Sequence, residues 1–175
     1  MRIRAIAAAL VLCATPAAAE VTAAQANHFV SRHSALLTAA PGDVWRDLGL
    51  VGRWWNSEHT YSGEARNMRV SLRAGACWCE TWAGGSVEHG RVVYAQPNAT
   101  LRILGALGPL QEMGVSGVLT YTLAAEGDGT RLTMTYRVDG SGADDLSAIA
   151  PLVDGVMGEQ FARLARYAQT GAAED

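Results

Sequence analysis

Lysine is missing from this 175-residue chain. All 14 basic residues are arginine, they face 17 acidic ones, and the formal net charge is −3. With that sign a phosphate-bearing partner is repelled rather than drawn in, which excludes a nucleic-acid binder of the electrostatic kind. Charge of either sign is thin at 18% of residues, while 49% are hydrophobic; a chain this apolar builds a core and does not stay disordered. Long apolar runs are missing as well. None reaches the roughly 18 to 20 residues of a spanning helix, so no stable membrane span is expected. There is no G-x-G-x-x-G and no P-loop, so nucleotides have no visible cradle, and no cofactor is expected. The nearest approach to a nucleophile elbow, Gly114-Val115-Ser116-Gly117-Val118, opens a hairpin strand instead of a strand-to-helix turn. Cysteines number three, with no C-x-x-C pair and no H-x-x-x-H spacing, so no metal site is expected.

What is present begins with an address. Arg2 and Arg4 make a basic start, residues 5–14 form a short apolar run closed by Thr15-Pro16, and Ala17-Ala18-Ala19 precede Glu20. This is the three-part pattern of a secretory signal with an A-x-A cleavage site. Residues 1–19 are therefore expected to be removed, leaving a single domain over 20–175 in the periplasm or outside the cell. Only Cys77 and Cys79 remain as cysteines in that mature chain.

After a polar lead, residues 28–38 read as a first strand carrying Phe29, Val30, Leu36 and Leu37. Pro41-Gly42-Asp43 punctuates it, with Asp43 in position to cap a short helix through Val44, Trp45 and Leu48. A second short turn holds Trp54 and Trp55, and residues 56–67 form a polar loop. From Met68 the period becomes two: strands are expected near 68–72, 77–82, 87–94, 101–104, 115–123 and 130–138. Gly84-Gly85 is a two-residue hairpin signal, and residues 105–114, with three glycines and Pro109, read as a loop. The tail turns helical, with Ile149, Val153, Val156, Met157, Phe161 and Leu164 mostly at three- and four-residue steps. Pro151 suits a first helical position, which starts the helix there and runs it to Gln169. An antiparallel sheet with one long amphipathic helix buries the helix stripe on its inner face. The class is α+β.

Residues 41–55, P-G-D-V-W-R-D-L-G-L-V-G-R-W-W, resemble the segment after the first strand of the START-like SRPBCC superfamily, which includes polyketide cyclase/dehydrase-like proteins. Ala74-Gly75-Ala76, Gly90-Arg91-Val92 and Gly129-Thr130-Arg131-Leu132 sit where that superfamily carries its own signatures, and the resemblance runs from about His28 to Gln169. It implies the helix-grip fold: about seven curved antiparallel strands around a long C-terminal helix, two short helices after the first strand, and a small-molecule cavity between sheet and helix. It does not select an activity. Two departures stand out: an expected signal peptide, which speaks against a cytosolic co-chaperone role, and a C-W-C-E run in place of the usual basic/aromatic alternation.

If Gly84-Gly85 is the turn, Ala83 pairs with Ser86, and Glu80 faces His89 across the strands. Trp78, Glu80, Trp82, Val87, His89 and Arg91 then share one face, and Cys77, Cys79, Thr81, Glu88 and Gly90 the other. Similarity to the family makes the tryptophan face the inner one. Glu80 and His89 are there either a general acid/base pair, each tuning the other, or a plain cross-strand ion pair. Arg91, Trp78 and Trp82 join them as ligand contacts, with Met157 and Phe161 from the helix and Trp55 from the segment before the loop. His59 and Tyr61 either close over a ligand or cap the helix pair. Leu107, Leu110 and Met113 make the 105–114 loop a second candidate gate. Cys77 and Cys79, about 6.5 to 7 Å apart on an extended strand, are expected to stay unbridged. Two functions remain open: binding of a hydrophobic or aromatic small molecule, and a cofactor-free cyclase, dehydratase or isomerase that moves protons through Glu80 and His89.

Overall fold

The computed structural model describes residues 19–174; the expected signal segment lies outside them but for its last residue. Period-two alternation produces one antiparallel sheet of eight strands: β1 (Ala19–Gln25), β2 (His28–Leu37), β3 (Met68–Val70), β4 (Cys77–Trp82), β5 (Gly85–Gln96), β6 (Thr100–Leu104), β7 (Ser116–Glu126) and β8 (Gly129–Asp139). Their order across the sheet is β1-β2-β8-β7-β6-β5-β4-β3. Two short helices, α1 (Pro41–Leu48) and α2 (Val51–Trp54), follow β2, and a 25-residue helix, α3 (Leu146–Thr170), closes the chain. No described helix is long and apolar enough to cross a membrane.

The expected seven strands become eight because the polar lead pairs. Residues 19–25 hydrogen-bond along β2 and form an edge strand, with a register shift between Val21 and Ala23. The helix also starts earlier than Pro151. Leu146 is buried, and its N–H donates to the Ala26 carbonyl at 2.9 Å. That packing and that bond carry one extra turn, and Pro151 sits inside the helix at the cost of a single backbone bond. At 1.5 Å per residue α3 spans about 37 Å. Asp43 is in the first turn of α1 and not at its cap, because Pro41 takes the opening position.

Leu101, Ile103, Leu119, Tyr121, Leu132, Met134, Tyr136 and Val138 alternate onto the concave face and pack with Met157, Phe161 and Leu164 of α3. One polar node fixes the helix over the sheet. The Asp154 Oδ1 on α3 accepts from Ser31 Oγ at 2.5 Å and lies 3.0 Å from His33 Nε2 on β2. Helix and strand approach so closely there that a Cβ on Gly158 would stand 2.8 Å from the His33 ring. Alongside the N-terminal half of α3, beside this node, a cleft opens.

Candidate ligand-binding cleft

The cleft has a volume of about 510 Å³ and three walls. Ile149, Leu152, Val153, Val156 and Met157 on α3 form an apolar one. The 105–114 loop brings Leu107, Gly108, Pro109 and Glu112, and the segment after α2 brings Trp55, Glu58, His59, Thr60 and Tyr61. His89 lines it from the sheet.

Each wall has a visible cause. Tyr136 on β8 reaches from the core into the 105–114 loop, donating to the Gly105 carbonyl at 3.0 Å and accepting the Leu107 N–H at 2.9 Å. Leu110, wholly buried, anchors the same loop. On the opposite side the Trp55 indole N–H donates to the His59 carbonyl at 2.9 Å, and His59 Nε2 stands 3.1 Å from Glu159 on α3. Asn56 donates to that same Glu159, and its backbone N–H to Gln160. The Tyr61 hydroxyl then crosses the mouth to the Gly108 carbonyl at 3.2 Å, joining the two loops.

The polar floor is the Glu80–His89 pair. Glu80 Oε2 lies 3.0 Å from His89 Nε2, and the residues are 0% and 5% exposed. Glu80 also accepts the Ser62 N–H on Oε1 at 2.5 Å and the Tyr61 N–H on Oε2 at 3.1 Å. Burial pushes this carboxyl up, but the hydrogen bonds from Ser62, Tyr61 and His89 outweigh it and hold it below the usual glutamate value. Burial lowers the His89 imidazole, more than the Glu80 carboxylate raises it. An ionised Glu80 beside a neutral His89 fixes the tautomer: Nε2–H donates to the carboxylate, and Nδ1 keeps a lone pair with no partner among the described residues. Trp78 packs on the ring at 5.5 Å between centroids and holds Trp55 edge-on at 5.0 Å.

The two residues meet by a route other than the expected register. The turn is Ala83-Gly84, with Trp82 paired to Gly85, Thr81 to Ser86 and Glu80 to Val87. Between Cys79↔Glu88 and Trp78↔Gly90 the register shifts, so His89 is an extra residue on β5 with no partner on β4. His89 keeps the inward phase it shares with Val87, beside Glu80, and the β-bulge reverses the alternation beyond it. Gly90 follows, where a Cβ would come 2.7 Å from the Leu104 carbonyl oxygen.

Three expectations are corrected by the structure. Arg91 pairs with Cys77 and is exposed on the outer face, against Glu88, so it does not reach the cleft. Trp82 ends β4 with its ring folded over Gly85 and lines no part of the cleft. Cys77 and Cys79 form a disulfide. Beside the bulge their Cα atoms are 5.4 Å apart, shorter than an extended strand allows and inside the range a bridge accepts. A Glu88 oxygen lies within 4.8 Å of both sulfurs, but sulfurs joined to each other are not the thiolates a metal takes.

Of the other residues singled out from sequence, Trp55, His59, Tyr61, His89 and Met157 line the cleft. Trp78 and Glu80 lie behind them, and Phe161 belongs to the closed core, 5.8 Å from the His33 ring. Ile149, Val153 and Val156 of the expected helix stripe line it as well, and sequence reasoning passed over Glu58, Thr60, Glu112 and Leu152. Leu152 carried a signal in its place beside Val153, which widens the apolar stripe, and the structure leaves it 72% exposed.

An open antiparallel sheet gripping a long C-terminal helix defines the helix-grip fold. Residues 28–169 match the family described as polyketide cyclase / dehydrase and lipid transport, and the chain belongs to it. Solved structures agree in fold. A conserved Enterococcus faecalis protein of unknown function is 10% identical with a TM-score of 0.57, the match covering 89% of this chain and 78% of that one. A Chromobacterium violaceum protein is 18% identical with a TM-score of 0.54, covering 80% and 96%. DynU16, from the dynemicin biosynthetic locus, is 18% identical with a TM-score of 0.57, covering 82% of this chain and 48% of that one. No curated protein sequence matches the chain.

Proposed function

We propose that this protein binds a hydrophobic or aromatic small molecule in the cleft between α3, the 105–114 loop and the segment after α2, within the cell envelope. The observation that carries the reading is a cleft of about 510 Å³ whose helix wall is wholly aliphatic and whose sheet side offers one polar group, His89. Burial of apolar ligand surface supplies the affinity, about 25 cal/mol per Å². The His89 Nδ1 lone pair accepts one hydrogen bond and fixes orientation. The test is titration with the neutral dye Nile red. Val153→Trp, which fills the cleft from a half-buried position, weakens binding at least several-fold; unchanged binding places the site elsewhere.

The geometry of Glu80 and His89 favours a second reading, a cofactor-free cyclase, dehydratase or isomerase. A neutral imidazole held in one tautomer by a buried carboxylate is built to take a proton at Nδ1 and return it to another atom of the bound molecule. Glu80 stabilises the imidazolium formed in between. Conversion of the bound molecule separates the readings: an enzyme transforms it and loses that turnover in His89→Gln, whereas a binder releases it unchanged.

A further inference from the structure

The cleft carries charge of one sign, and this deepens the binding reading by naming a ligand class. We infer that its ligand is an amphipathic amine, an apolar body with one cationic nitrogen held at the mouth, and that carboxylate and phosphate ligands are selected against.

Four ionisable side chains besides Tyr61 line the cleft: Glu58, His59, His89 and Glu112. His59 is engaged by Glu159, and His89 by Glu80. Glu58 and Glu112 have no side-chain hydrogen bond or ion pair among the described residues, and both are exposed at the rim. None of the twelve arginines among the described residues lines the cleft, and the sequence has no lysine. A fatty-acid carboxylate or a phosphate headgroup entering here meets two carboxylates and no guanidinium or ammonium to pair with.

Two further features fit a cation. Tyr61, half exposed, lines the same side of the mouth as Glu58, and an aromatic ring there attracts a positive nitrogen. Within the cleft, His89 is about nineteen-twentieths buried, and its free Nδ1 accepts a hydrogen bond without supplying charge of either sign. The Tyr61 hydroxyl senses the same field: it is raised by burial first, then by the negative charges of Glu112 and Glu80. An ammonium at the mouth, with its hydrocarbon along Ile149, Val153, Val156 and Met157, satisfies both ends of the cleft at once.

The experiment compares three probes of one shape by calorimetric titration: a naphthylmethylamine, the matching naphthylmethanol and naphthoate. The expected order is amine, alcohol, acid, with amine over acid on the order of tenfold at low ionic strength and less at high salt, as rim charges in water are screened. In the Glu58→Gln/Glu112→Gln double variant the amine-to-acid ratio falls toward one. Equal or tighter binding of the acid overturns the inference, as does a ratio that ignores salt in the unaltered protein or survives both substitutions. If none of the three binds, the cleft reading itself fails and this inference falls with it.

Discussion

Glu80→Gln is the sharpest probe of how the cleft is held together. The unaltered carboxylate serves three donors: the Ser62 N–H on one oxygen, and the Tyr61 N–H and His89 Nε2 on the other. Hydrogen bonds to a charged acceptor are worth about 1.5 to 3 kcal/mol and those to a neutral one about 1, so neutralising the acceptor weakens all three. The amide adds a conflict, because one of its ends is now a donor. If its oxygen stays with Tyr61 and His89, its NH2 faces the Ser62 N–H at a distance of about 2.5 Å. If it flips, NH2 faces Tyr61, and His89 must move its own proton to Nδ1 to accept at Nε2. Either way a buried donor is left unmatched, and the total is about 2 to 4 kcal/mol. At a slope of 1 to 3 kcal/mol per molar urea, the unfolding midpoint drops by roughly 1 to 2 M. The 56–64 segment, which Glu80 holds by two backbone N–H groups, becomes the first site of limited proteolysis. A midpoint within about 0.3 M of the unaltered protein, with an unchanged cleavage pattern, refutes the reasoning.

Other expectations are simpler. Both groups of the pair titrate below their ordinary values, so both destabilise the fold on acidification: as pH falls below 6.5 the unfolded chain takes a proton that buried His89 refuses, and below 4.5 Glu80 adds a second fall, complete once its own lowered value is passed. A pH series of urea midpoints reads this, and His89→Gln flattens the upper limb; an unchanged limb refutes the assignment. Alkylation before reduction leaves Cys77 and Cys79 unlabelled, and reduction first adds two labels by mass, whereas two labels without reduction contradict the bridge. Material recovered from the envelope begins at Glu20 on N-terminal sequencing, which trims β1 by its first residue only; a retained Met1 sinks the envelope assignment.

Much of this architecture was legible because periodicity reports which face is buried. β4 was bounded correctly at Cys77 and Trp82, and the two strands of the last hairpin to within a few residues. What escaped was phase. A bulge adds one residue to one strand without any mark in composition, and after it every side chain changes faces. That single event moved Arg91 outward and left His89 unpaired on β5, and it lies beside Cys77 and Cys79, whose Cα atoms are within bridging distance. Gly90, which leaves room for the Leu104 carbonyl, was the one local hint. Leu146 escaped for a different reason: its early helical turn rests on the Ala26 carbonyl, 120 residues upstream, and no local window contains that partner.

That distant partnership orders events in time. The long helix follows the whole sheet along the chain, and two of its anchors, Leu146 to Ala26 and Asp154 to His33, reach back to the first hairpin. A nascent chain halted before residue 146 has its sheet ladders but no lid over the concave face, and Leu101, Leu119, Met134 and their neighbours stand in water. Contacts of such long separation close slowly and leave sticky intermediates while they wait. The chain is therefore stickiest in the interval after β8 has paired and before α3 has docked.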